Sequence, residues 1–110
     1  MKYCFALDLK DDEKLIAEYE RWHQSVWPEI VDSIRVSGIK ELEIYRVYNR
    51  LFMIMKTDEN FSLEKKRAMD DANEKVQEWE TLMWKYQQAI PHAPEGSKWV
   101  LMHKIFDLNK

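Results

Sequence analysis

Two glycines in 110 residues leave no segment able to form a Gly-rich phosphate loop, which needs several to bring backbone close to a ligand. The lone cysteine, Cys4, excludes an intramolecular disulfide and any paired-cysteine redox or metal motif. Nowhere do His, Cys and carboxylates gather at metal-ligand spacing, so neither a metal nor a cofactor is expected. No apolar run approaches the roughly 20 residues of a membrane span, and the run between Lys2 and Asp8 is too short for the apolar core of a signal peptide. Lys+Arg 17 against Asp+Glu 20 gives a net charge of -3 with both signs interspersed, which provides no basic face for nucleic acid. These absences describe one cytoplasmic domain over residues 1–110, since no composition shift divides the chain.

What the chain has is aromatic side chains: five Trp, five Tyr and four Phe. A chain of this length buries only about two-thirds of its unfolded surface, so some of these are needed for the core. The surplus supplies flat apolar faces and indole N–H groups, which suit a ligand with one apolar and one polar side.

Residues 2–9 alternate, with Tyr3, Phe5, Leu7 and Leu9 on one face and Cys4, Ala6 and Asp8 on the other, which is the period of a strand. Asp11 or Asp12 caps a following helix whose apolar positions are Leu15, Ile16, Tyr19, His23, Val26 and Trp27. Pro28 predicts a kink or restart at 24–27, and Gly38 is a natural stop for the continuation. IKELEIYRV at 39–47 and LFMIMKT at 51–57 read as a hairpin turning at Tyr48-Asn49-Arg50, with Asn49 the residue suited to positive φ. A short polar helix capped by Asn60 or Ser62 follows, its LEKKRAMDD run a solvated face. A longer helix capped by Asn73 carries Val76, Trp79, Leu82, Met83 and Tyr86 up to Ile90 and is ended by Pro91. After the loop PHAPEGS, residues 98–107 read as a final buried strand.

The resulting order is βαββαβ, an α+β, ferredoxin-like arrangement with an antiparallel sheet. Helices cover one sheet face only, yet the first, third and last strands carry apolar groups on both. The second face is expected to be covered by another copy, giving a homodimer that closes as a dimeric α/β barrel.

Tyr19 and His23 stand one helical turn apart, and Trp27 follows a further turn along if the helix persists. Two readings are open. The three are core residues of an amphipathic helix, or they are an acid/base pair beside an aromatic plate, histidine being the side chain that exchanges protons near neutrality without metal help. His103 on the last strand reads as a buried histidine bonded to a carbonyl, and His92 as an exposed loop residue. Trp84, Tyr86 and Trp99 line a pocket or fill the core.

Tyr19, His23, Trp27, Pro28 and Glu29 within YERWHQSVWPEI, followed by GIKELEIYR, RLFMIM and VQEWETLMWKYQQAIP, resemble the L-rhamnose mutarotase family over nearly the whole chain. The resemblance implies a cofactor-free isomerase that interconverts sugar anomers, with His23 as proton donor and Tyr19 touching the sugar. It also implies that Trp79 matches the first of two adjacent substrate-contacting tryptophans, with Trp27 a further surface for the sugar ring. Two positions depart from that pattern: Glu80 stands where the second tryptophan is expected, and Leu42 where rhamnose-type members carry a tyrosine. Both bear on which 6-deoxyhexose is accepted, L-rhamnose being the expected sugar and L-fucose the alternative, since a site that pairs hydroxyls discriminates by the polar group left unpaired. Outside that family, a dimeric α/β-barrel monooxygenase and a non-catalytic ligand-binding dimer share the expected fold.

Overall fold

The computed structural model describes residues 1–110. In chain order it comprises β1 (Lys2–Leu9), α1 (Glu13–Trp22), α2 (Pro28–Val36), β2 (Ile39–Val47), β3 (Arg50–Thr57), α3 (Leu63–Asp71), α4 (Glu74–Trp84), β4 (Gln87–Gln88) and β5 (Val100–Leu101). All pairings are antiparallel, in the order β2-β3-β1-β4, with β5 also on β1. The free edge of β1 is shared: β4 pairs Asp8 and Leu9, while β5 pairs Phe5 and Ala6. The βαββαβ plan is therefore realised with two short strands, β4 and β5, after the last helix.

The alternation of β1 sets the layers. Phe5, Leu7 and Leu9 are buried beneath the helices with Leu51, Met53 and Met55 of β3. Burying each such side chain contributes about 1.5–3 kcal/mol. Cys4, Ala6 and Asp8 face the opposite side, where Arg50 holds buried Asp8 through both guanidinium contacts, at 2.8 and 3.2 Å. The carboxylate in turn raises the Arg50 pKa, first by its hydrogen bond and then by its charge.

Capping residues mark the helix starts. Asp12 accepts from the N–H groups of Lys14 and Leu15, Ser62 from Lys65, and Asn73 from Lys75 and Val76. The restart expected from Pro28 is present: α1 stops at Trp22 and α2 begins with Pro28 in its first turn, where its missing N–H costs nothing. Gly38 ends α2 at φ 100°, and its carbonyl accepts from the N–H of Asp58 at 3.0 Å.

Four expectations need correction. Positive φ in the hairpin falls on Tyr48 (φ 53°), not Asn49. Asn49 is engaged instead with β1: its side-chain amide donates to the Leu9 carbonyl at 3.0 Å, and its own carbonyl accepts from Leu9 N–H at 2.6 Å. The long helix ends at Trp84 rather than Ile90, because pairing of Gln87 and Gln88 with the free edge of β1 outweighs their helical propensity. The last strand is two residues, not ten, with one more bond from Met102 N–H to the Cys4 carbonyl at 2.7 Å. Beyond it the chain leaves the sheet, so His103 is exposed, as are Ile105, Phe106 and Leu108. No helix is long and apolar enough to cross a membrane.

Candidate active site

The end of α1 determines the site. His23 is the cap of that helix, and its N–H turns back to the carbonyl of Glu20 at 3.1 Å. Its imidazole Nδ1 lies 2.8 Å from the Tyr19 carbonyl oxygen and makes the bond that a further helical turn would have made. A carbonyl only accepts, so Nδ1 carries a hydrogen and Nε2 is the nitrogen left to exchange a proton. No buried side-chain nitrogen or oxygen lacks a partner, and Nε2 has none in the chain, so the half-buried ring keeps Nε2 open to space.

Around that ring the aromatics are contiguous. Tyr19 lies beneath it at 4.5 Å between centroids, and Trp79 stands edge-on at 5.8 Å. Trp79 also meets Trp27 at 5.1 Å and Trp22 at 6.3 Å. Trp27 thus reaches the cluster although the helix does not persist to it: the restart at Pro28 returns it against α4. Together with Leu9, Ile30, Leu51, Val76, Met83 and Tyr86, Tyr19 and Trp79 form the larger hydrophobic core. Tyr19 is 3% and Trp79 8% exposed, so both are core side chains, while His23 and Trp27 are half-buried.

Two hydrogen bonds join α1 to the residues after α4. Gln87 Nε2 donates to the Tyr19 hydroxyl oxygen at 3.0 Å, and Trp22 Nε1 donates to the Tyr86 hydroxyl at 3.1 Å. Burial pushes the Tyr19 phenol up to about 12, the Gln87 bond opposing the rise. The phenol is therefore a neutral hydrogen-bond donor, not a base.

Two further residues expected at the site, Leu42 and Glu80, make other contacts. Leu42 packs against the second core cluster, with Phe5, Ile39, Met53, Met55 and Phe61. Glu80 is half-buried on α4, where it accepts from Gln77 at 3.2 Å and faces Lys98 at 3.8 Å, so it ties α4 to the loop before β5. Lys98 also lies 6.0 Å over the ring of Trp84. His92 is exposed in that loop with φ 74°. Trp99 packs against both core clusters.

Trp22 and Gln87 were not singled out by the sequence. Reading residues 87 and 88 as helix hid the alternation that places Gln87 inward beside Leu9 and Gln88 outward beside Asp8.

The model of a family described as L-rhamnose mutarotase matches residues 2–108. An L-fucose mutarotase of Xanthomonas campestris pv. campestris is 45% identical over 99% of this chain and 89% of its own length. An L-rhamnose mutarotase of Paraburkholderia phytofirmans is 29% identical over 69% of this chain and 65% of its own. The crystal structure of an L-rhamnose mutarotase from Formosa agariphila superposes with a TM-score of 0.72 at 22% identity, covering 98% of both chains, so the fold is shared. With the matched span, the 45% relative and the shared fold, the chain belongs to the L-rhamnose mutarotase family, isomerases that act on sugar anomers.

Proposed function

We propose that this chain interconverts the α and β anomers of a 6-deoxyhexopyranose, with His23 as the group that moves the proton. The observation that carries the assignment is the anchoring of His23 Nδ1 on the Tyr19 carbonyl, which leaves Nε2 open beside Tyr19 and Trp79. In the opening step the imidazolium form of His23 delivers its Nε2 proton to the ring oxygen while the anomeric hydroxyl gives its own proton to water. The C1–O5 bond breaks and the aldehyde turns about the C1–C2 bond; closure on the other face returns the proton from O5 to Nε2 while the former carbonyl oxygen takes one from water. Such a positioned acid/base contributes about 10²- to 10⁴-fold. Tyr19, neutral up to about pH 12, serves as a hydrogen-bond donor to the sugar, and Trp79 and Trp27 stand against its apolar face.

L-rhamnose is the sugar named by the matching family, and the 45% identical relative weighs toward L-fucose. Leu42 and Glu80, which depart from the rhamnose-type pattern, fit a change in the hydroxyl configuration accepted. The test is anomer exchange by saturation-transfer NMR with both sugars, in the parent and in His23→Ala. Faster exchange lost in the folded variant supports the reading; equal exchange removes His23 from the mechanism.

The same reading includes a homodimer. Tyr45, Val47, Leu101, Met102, Ile105 and Phe106 are exposed, and Ala6, Tyr45, Val47, Phe52 and Met102, with Arg46 and Arg50, line a mostly apolar open hollow of about 230 Å³ on the face away from the helices. An apolar surface of this kind is covered by a partner, and a second copy offers the same surface. The free thiol of Cys4 accords with the reducing cytoplasm as its compartment.

A further inference from the structure

We propose that Gln87 is a specificity residue of this site, its side-chain carbonyl accepting a hydrogen bond from the same sugar hydroxyl that accepts one from Tyr19. The proposal rests on the reading that a pyranose occupies the space beside His23, and deepens it.

Gln87 is 7% exposed, an unusual position for an amide, and β4 directs it inward beside Leu9. Its Nε2 donates to the Tyr19 oxygen at 3.0 Å. That bond uses one donor of the amide and one lone pair of the phenol. It leaves two complementary groups without a protein partner: the phenolic hydrogen of Tyr19 and Oε1 of Gln87. No buried side-chain oxygen lacks a partner, so Oε1 keeps contact with open space. Trp79 Nε1 also makes no bond in the chain, and by the same reasoning reaches open space although its residue is 8% exposed.

An unused donor and an unused acceptor on two hydrogen-bonded residues match one chemical group. A hydroxyl accepts from the Tyr19 O–H and donates to Oε1, whereas an ether, a methyl or a deoxy carbon leaves at least one of them unpaired. Burial keeps the phenol neutral, so it retains this donor across the pH range in which a sugar is handled. The pair therefore reads the presence and direction of one hydroxyl, and a sugar epimeric at that carbon is disfavoured.

The test compares the parent with Gln87→Met, which keeps chain length and apolar packing but removes both amide functions. Anomer exchange is measured against concentration for the preferred 6-deoxyhexose, its single-hydroxyl epimers and its monodeoxy analogues. The expected result is KM raised roughly five- to hundredfold for the preferred sugar with kcat changed far less. Discrimination against one epimer and one monodeoxy analogue should collapse at a single carbon, whereas a merely structural role would not single out a position on the sugar. A second measurement uses the parent: the Gln87 side-chain amide signals, identified by their contacts to the Tyr19 ring, should shift on saturation with sugar. Parent values of KM and discrimination in folded Gln87→Met, or an unmoved amide if that variant does not fold, would overturn the proposal. Those outcomes leave intact a parent whose exchange depends on His23. Exchange unaccelerated by the parent would instead remove the mutarotase reading, and this proposal with it.

Discussion

The imidazole of His23 closes the last turn of α1 by standing 2.8 Å from the main-chain oxygen of Tyr19, so the group proposed to move the proton is also the cap of its own helix. The two roles are separable by substitution. In His23→Asn the side-chain NH₂ can replace Nδ1–H on the Tyr19 carbonyl, but nothing replaces Nε2. The variant is expected to keep its unfolding free energy in urea to within about 1 kcal/mol, since only a cap contact is exchanged. Sugar exchange is expected to fall by about 10²- to 10⁴-fold. In the parent, the neutral ring should show the Nδ1–H tautomer in long-range ¹⁵N NMR spectra; an Nε2–H tautomer would contradict the assignment.

The Tyr19 phenol, pushed up to about 12 by burial, makes a separate prediction. The unfolded chain releases this proton near pH 10 while the folded chain holds it, so unfolding is favoured progressively above pH 10. The stability contribution is fully present below pH 10 and lost as pH rises through about 12, amounting to roughly 3 kcal/mol. Urea midpoints at stepped pH, compared between the parent and Tyr19→Phe, isolate this group because the other tyrosines are common to both. The parent should lose more stability across that window, and parallel curves would refute the burial argument. Below pH 10, Tyr19→Phe should itself cost about 1–3 kcal/mol, since it leaves the buried amide of Gln87 without its acceptor.

Gly38 is the position where the backbone needs glycine. Its φ is 100°, and a Cβ there would meet Asp58 Oδ2 at 2.9 Å. Asp58 is not free to swing away without loss, because its Oδ1 accepts from Asn60 N–H at 3.1 Å and its N–H donates to the Gly38 carbonyl at 3.0 Å. Gly38→Ala is expected to destabilise the fold by about 1–3 kcal/mol in urea unfolding, with sugar exchange per folded molecule unchanged. A stable Ala variant would show that α2 and β2 join in another way.

Local chemistry made most of the fold legible. Period-two alternation gave β1 to the residue, and Asp12 of the pair Asp11/Asp12, Ser62 of the pair Asn60/Ser62, Asn73, Pro28 and Gly38 marked helix limits because each acts through its own backbone neighbourhood. Positions settled by distant partners were not legible. Gln87 and Gln88 leave the helix because β1 has a free edge, and Tyr48 takes positive φ because Asn49 is held by Leu9. The site followed the same division. Tyr19 and His23 were proposed from their spacing and from the family resemblance, whereas the contact of Gln87 with Tyr19 spans 68 residues of chain, through a bond that no local pattern encodes.

The exposed apolar face leads to the last prediction. Val47 is 61% and Met102 47% exposed, and both line the hollow on that face, so in a lone chain a charge at either place should alter stability by less than about 0.5 kcal/mol. If a second copy covers that face, the same charge is buried without a partner and separates the subunits. The parent should sediment at twice its 13.4 kDa, and the Val47→Glu, Met102→Glu double variant at 13.4 kDa with helical content retained. Lys65→Glu on α3, a helix with no buried residues, should stay dimeric and serves as the control for added negative charge. A parent that sediments at 13.4 kDa across the micromolar range would leave the apolar face without its proposed cover, and a double variant that stays dimeric would place the interface elsewhere.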